Sequence, residues 1–396
     1  MSEIDNIRSF HDEMVAWRRD LHAHPEMAYK ENRTAAFVAD KLRAWGIEVH
    51  TGMAKTGVVG VVRNGTGNRA VGLRADMDAL PLQELNSFEH RSRHDGVMHA
   101  CGHDGHTVML LGAARHLAQH RNFDGTVHLI FQPAEEGEGG GKLMIEEGLF
   151  EKFPCDAVFG LHNLPGIPVG KFAVRSGPLL ASSDKFEIAI AGTGSHGAFP
   201  HQGVDPVLVA CEVVSALQGI VTRNVDPLQS AVVSVTQIHG GAAYNIIPGE
   251  VKLGGTTRAF TPEVQQLIER RMRQIVEGVC AAHNATGTLK YIYGYPPTIN
   301  SPDEAGIAAA AAAKVVGRDN VLLDHPPSMA ADDVAFMLQV CSGAHIQIGN
   351  GVGPGVGEGG CPVHNPNYDF NDRILSLGAS FWVTVAETFL ATGGAA

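Results

Sequence analysis

The rhythm of the chain changes at Ser182, and that change constrains the fold more than any other feature. Before it, helical and strand patterns alternate. Ile7, Phe10, Met14, Trp17 and Leu21, spaced three and four apart, mark one helix; Ala35, Val38, Leu42 and Trp45 mark a second that stops at Gly46. Apolar runs at 57–62, 70–73, 127–131 and 157–161 read as strands, with a helical pattern at 107–117 between the second and third. Such alternation predicts an α/β domain, a mostly parallel sheet with helices on both faces. After Ser182 the order is strand 186–191, a helix opened by Asp205-Pro206 and running to Leu217, strands 231–238 and 250–257, a helix from Thr261-Pro262 to Val279, and strand 288–293. That is β-α-β-β-α-β, the ferredoxin-like order. Ser301-Pro302-Asp303-Glu304 reads as a capping box that reopens the first pattern. A chain of 396 residues exceeds one hydrophobic core. The prediction is therefore a larger α/β domain, 1–183 with 299–396, interrupted by an α+β domain at 184–298.

Charge narrows the partners. Thirty Lys+Arg against 42 Asp+Glu give a net charge of −12, which argues against nucleic acid or an acidic membrane surface. The apolar runs fall short of the ~20 residues of a membrane span, and no basic-then-apolar leader opens the chain. The six cysteines are scattered without a C-x-x-C pair, as in a reduced cytoplasmic protein.

The chemistry-bearing residues gather after the strands. Cys101 and His103 stand in a glycine- and alanine-rich stretch; Glu135 and Glu136 follow the 127–131 strand; His162 closes the 157–161 strand; His364 lies beyond a glycine-rich loop after strand 345–348. In parallel sheets the carboxyl ends of the strands build sites. Taken singly, Cys101 suits a small core residue, His162 an interior histidine, and the glutamates a solvated surface. Together, thiolate, imidazole and carboxylate suit zinc, manganese or cobalt. Neighbours in a regular strand face opposite ways, and Pro133 interrupts the strand before both glutamates.

Leu73-Arg74-Ala75-Asp76-Met77-Asp78-Ala79-Leu80-Pro81, 99–107, 131–137, 194–201, 244–248, 257–260 and His364-Asn365-Pro366 follow one another in an order that resembles peptidase family M20 over nearly the whole chain. These are dinuclear-metal amidohydrolases, and the closer likeness is to the branch with hippurate hydrolase and other N-acyl-amino-acid hydrolases. The resemblance implies that Cys101, His103, Glu136, His162 and His364 hold two divalent ions (Mn²⁺, Zn²⁺, Co²⁺ or Ni²⁺), with Cys101 bridging. It implies Glu135 as general base, His196 at the scissile carbonyl, often from a partner subunit, and Asn245 and Arg258 on the substrate carboxylate. The inserted domain corresponds to a lid through which such chains form homodimers or homotetramers. Asp76 stands where other branches carry a histidine ligand, and Ala330-Ala331-Asp332-Asp333 replaces a family Gly-Ser-Glu-Asp; the roles of Asp76, Asp78, Asp332 and Asp333 stay open, with ligand orientation the expectation for Asp78.

The expected reaction is hydrolysis of an N-acyl amino acid by a metal-bridging hydroxide, with Glu135 moving the proton. Two divalent ions less Cys101, Glu135 and Glu136 leave about one positive charge for an anionic substrate. Rivals fit less well. Ser195 is out of register for G-x-S-x-G, Gly139-Gly140-Gly141-Lys142 lacks the spacing and hydroxyl of a phosphate loop, and Gly355–Gly360 leads into no helix. A dipeptidase or aminopeptidase of the same fold is the nearest alternative, and a non-catalytic binding protein the other.

Overall fold

The computed structural model describes residues 3–355 and 357–391. It divides into two compact units: 1–177 with 300–326 and 333–396, and 178–299 with 327–332. The divisions fall at Gly177 and Ile299, and the short segment Pro327–Asp332 joins the second unit, which the sequence pattern does not signal.

The first unit is mixed α/β around an eight-stranded sheet. Its four central strands, in the order Gly125–Gln132, Ala70–Asp76, Ala157–Pro165 and Gly343–Gly351, run parallel. The edges depart from this: Glu48–Met53 and Gly57–Asn64 pair antiparallel on one side, and Phe172–Ala173 runs antiparallel to Gly343–Gly351 on the other. Period-two alternation divides the apolar residues between two cores. Val58, Leu129, Phe131 and Phe159 pack with the helices His11–Ala23, Asn32–Ala44, His103–Gln119 and Leu375–Ala391, while Val59, Ile130 and Val158 pack against Met144, Leu149 and Met337. Burial on both faces is why these strands read as unbroken apolar runs.

Local differences from the sequence reading have physical causes. The first helix is two, Glu3–Arg8 and His11–Ala23, because Ser9 Oγ turns back onto Asn6 O at 2.6 Å. Ser301 precedes helix Pro302–Val316 without capping it; its hydroxyl instead accepts from Ser342 Oγ and Gly343 N, so the capping box is not formed. Among the described residues two helices, Pro206–Arg223 and the stretch Asp372–Ala391, are long and apolar enough to cross a membrane, contrary to the expectation of only short apolar runs. The second is a core helix, with 78% of its apolar window buried inside the protein.

In the second unit, four antiparallel strands in the order Ala231–Gly240, Glu250–Ala259, Ser183–Ala191 and Thr286–Tyr295 carry the helices Pro206–Arg223 and Pro262–Ala282. Asp205 and Thr261 cap these helices, accepting from Val207 N at 2.9 Å and Val264 N at 3.3 Å. Phe186, Ile188, Ile190 and Leu253 bury against Val213, Leu217, Ile268 and Met272. One carboxylate knots this unit: buried Asp184 accepts from Gln265 Nε2 at 2.8 Å, Tyr291 OH at 3.0 Å and Gly294 N at 3.0 Å. Asp184→Ala leaves those donors without their acceptor, so chemical denaturation should show a loss of about 3 kcal/mol.

Candidate metal centre

At the ends of the central strands the backbone makes unusual turns. Gln132 ends its strand; Ala134 then adopts φ +55°, a left-handed conformation uncommon for a residue with a Cβ. Its N–H donates to Glu31 Oε1 at 2.8 Å, and Thr56 Oγ1 donates to Glu31 Oε2 at 2.6 Å. This turn, rather than Pro133 alone, redirects the chain so that Glu135 and Glu136 both face His103. His364 is likewise left-handed, φ +62°, and its N–H donates to Ala100 O at 2.7 Å. His103 is the first residue of a helix and not of a loop, following Gly102 at φ +96°.

All five expected ligands of the first unit converge there. Cys101, His103 and His162 form one trio and Cys101, Glu136 and His364 another, with ligand atoms inside each trio within 4.8 Å. Cys101 belongs to both. Cys101 Sγ is 3.4 Å from His162 Nε2, and His364 Nε2 is 3.3 Å from Glu136 Oε1. His103 Nε2 is buried without a hydrogen-bond partner among the described residues, about 4 Å from carboxylate oxygens of Glu135 and Glu136. Donors ~2.0–2.3 Å from an ion stand up to ~4.5 Å from one another, so all of these spacings suit a shared cation, the two shorter ones lying within hydrogen-bond reach as well.

Electrostatics agree. Burial opposes ionisation of Cys101, but His162 and His103 carry its pKa well below a normal thiol. Burial and the Cys101 charge push Glu136 up to about 7, and hydrogen bonds to Cys101 and Glu136 push His364 up to about 10. The donor set thus holds anionic charge that its imidazoles must balance with protons; a divalent cation replaces those protons. The residues fit divalent metals.

A second layer, mostly unread in the sequence, holds the donors. His103 Nδ1 lies 3.0 Å from Asp78 O and 3.2 Å from Asp78 Oδ1, while Glu136 N donates to Asp78 Oδ2 at 3.0 Å. Asp78 therefore orients one donor and one glutamate together. Asp76 takes Arg74 Nη1 at 2.8 Å and pairs with His106 Nδ1 at 2.6 Å. Asn163 N donates to His106 Nε2, which places the His106 proton on Nδ1, toward Asp76. Asn163 also reaches Cys101 O and accepts from Tyr368 OH. Asp333 is buried with Arg74, Gln132 and Gly141 N, which gives it a framework role. Nothing local distinguished Glu31, His106, Asn163 or Tyr368; only the three-residue step from His103 to His106 along the helix offered a signal.

The remaining expected residues belong to the second unit. His196 pairs with Ile246 across two short strands, and Gly197 N donates to Asn245 O at 2.8 Å, so His196 and Asn245 are neighbours and both exposed. Ala198 N donates to His196 Nδ1, leaving Nε2 to carry the proton outward. Arg258 is half-buried on strand Glu250–Ala259, bonded to Thr257 O and Thr256 Oγ1.

Comparisons with known proteins decide the family. The model of peptidase family M20/M25/M40 matches residues 72–388. The chain belongs to this family. It is 41% identical to the hippurate hydrolase of Campylobacter jejuni, over 98% of this chain and all of that one, and 37% identical to thermostable carboxypeptidase 1 of Saccharolobus solfataricus, over 97% of each. A dinuclear metal binding peptidase of the M20 family from Bacillus subtilis superposes with a TM-score of 0.86 at 32% identity, covering 97% of this chain and 99% of that one. The M20 chain is accordingly a hydrolase acting on amides.

Two measurements check how the centre is held. A Cβ at Gly102 would lie 2.3 Å from Asn163 Nδ2 and 2.7 Å from Tyr368 OH, at a φ that strains any L side chain. Gly102→Ala should lower both melting temperature and calorimetric metal affinity. Behind the centre, Arg18 Nε and His22 Nδ1 both donate to Asp104, the residue after His103, at 3.0 and 2.8 Å. Burial and Arg18 oppose protonation of His22, yet Asp104 and Glu84 outweigh them and push it up to about 9. A raised folded-state pKa stabilises fully below pH ~6.5 and is lost as pH rises through 9. The stability gap between wild type and His22→Gln, read by urea unfolding at fixed metal concentration, should be widest near pH 6 and shrink toward pH 10.

Proposed function

We propose that this chain hydrolyses the amide bond of N-acyl amino acids of the hippurate type, releasing a carboxylic acid and a free amino acid. The observation that carries the reading is the placement of Glu135 beside the Cys101–His103–Glu136 donors, with its Oε2 4.0 Å from the unpartnered His103 Nε2. When bound there by Cys101, His103, Glu136, His162 and His364, two divalent ions (manganese, zinc, cobalt or nickel) supply Lewis acidity that acidifies a water and polarises the acyl oxygen.

The chain's own groups do the rest. Glu135, buried and held by the left-handed turn at Ala134, takes the proton of the attacking water and delivers it to the departing nitrogen. Asp78 keeps His103 and the Glu136 backbone in register. His196, with its proton on Nε2, stabilises the oxyanion, supplied by its own chain or by a partner subunit in a homodimer or homotetramer. Arg258 and Asn245 bind the substrate carboxylate, the guanidinium bonding both oxygens. A reducing cytoplasm suits a centre built on a thiolate.

The name of the Campylobacter jejuni relative supports an acyl substrate, and that of the Saccharolobus solfataricus relative favours a second reading in which peptides with a free carboxyl terminus are cut. Both reactions release an amino acid with its carboxylate intact. Hydrolysis of hippurate, N-acetyl amino acids and dipeptides by metal-reconstituted protein separates them. A chelator should abolish turnover and a divalent ion restore it. Glu135→Gln should lower kcat by about 10²–10⁴-fold while elemental analysis shows metal content retained. Activity that survives this change with metal bound sinks the assignment of the base.

A further inference from the structure

One buried carboxylate turns away from the task its place in the chain would give it. Glu31 stands at the N-cap of helix Asn32–Ala44, yet its side chain makes no cap bond. Glu26 caps the helix instead, accepting from Arg33 N at 3.0 Å and Thr34 N at 2.8 Å. Glu31 reaches into the core, where it accepts from Thr56 Oγ1 and, 103 positions along the chain, from Ala134 N. Both donors are neutral. A buried carboxylate held by neutral donors costs stability that an apolar side chain would not, so support of the helix does not explain it.

What the carboxylate holds is strained. Tyr29, Ala54, Lys55 and Ala134, on the three segments that meet at Glu31, are four of the six non-glycine residues with left-handed φ among the described residues. Such strain persists only where the surroundings over-determine it, and it gathers at active sites. The two residues after Ala134 are Glu135 and Glu136, and they are anchored differently. Glu136 N donates to Asp78 Oδ2 at 3.0 Å, so Asp78 fixes that glutamate apart from the turn. Glu135 follows directly on Ala134, whose N–H is held by Glu31 and whose O accepts from Gly140 N at 2.9 Å.

We propose that Glu31 is a positioning residue for the reaction, holding Ala134 in the left-handed turn that aims Glu135. The proposal rests on the assignment of Glu135 as the base in the reading above. It gives Glu31 a narrower task than support of the fold. Once Ala134 N is released, Ala134 relaxes toward the ordinary backbone regions and carries the Glu135 carboxylate off its line. The Glu136 donor moves less, because Asp78 still holds its N–H.

The test is rescue. A misplaced base is costly, so Glu31→Ala should lower kcat for N-benzoylglycine by about 10–100-fold, with KM little changed and metal content retained by elemental analysis. Glycine takes a left-handed φ without the Cβ penalty, so adding Ala134→Gly should return about tenfold of that loss, a gain absent when the same change is made in wild type. Glu31→Gln keeps a carbonyl oxygen for Ala134 N and should retain most of kcat. Amide exchange across residues 132–137 of the metal-free protein should quicken in Glu31→Ala more than in Glu31→Gln. Glu31→Asp, one methylene short of spanning both donors, replaces Glu31→Ala if that variant does not fold, with the same gain from glycine. Full kcat in Glu31→Ala, or joint loss of metal and kcat without a gain from glycine, overturns the proposal alone. Wild-type metal-loaded protein inert toward N-benzoylglycine, or activity that survives Glu135→Gln with metal bound, overturns the reading beneath and this proposal with it.

Discussion

Negative charge buried at the strand ends is the constraint on which the first unit depends. Asp76, Asp78, Asp104 and Glu135 are all buried, as is Cys101. An isolated carboxylate in that environment is costly enough to force neutralisation or a partner. The chain answers with cations carried into the core: Arg74 lies between Asp76 and Asp333, and Arg18 lies against Asp104, Asp369 and Asp372. Arg18 and Arg74 are among the largest fully buried side chains of the protein. What these two leave unbalanced, around Cys101 and Glu136, is what divalent metal takes up.

The same constraint explains why the backbone there is irregular. Two adjacent glutamates on a strand would point to opposite faces, and only a turn outside the usual regions brings both to one place. Ala134 makes that turn because Glu31 holds its N–H from behind. His364 reaches the donors by a similar turn against Ala100. The rigid sheet supplies position, and these turns supply aim.

Much of this was legible in the residues. Unbroken apolar runs marked strands covered on both faces; Asp205 and Thr261 marked helix starts; and the donors announced themselves as thiolate, imidazole and carboxylate after strands. What could not be read depends on partners far away in the chain. Arg18 meets Asp369 351 positions later, and His106 meets Asn163 57 positions on. The role of Asp333 stayed open because its partners, Arg74 and Gln132, stand 259 and 201 positions earlier. Nor does alanine at 134 advertise a left-handed turn, since the cause lies in Glu31, more than a hundred residues earlier.

The membership of Pro327–Asp332 in the second unit has a consequence for how the chain can be cut. The backbone passes between the units at 177/178, 299/300, 326/327 and 332/333, four times rather than the two of a simple insertion. Excising 178–299 would therefore not yield the second unit whole, because it leaves behind the short segment that adds to Leu179 and Ala181 through Ser328 and Ala330. A genetic dissection that respects the architecture has to carry residues 327–332 along, by circular permutation or a designed linker, or it will report on a fragment that neither unit resembles.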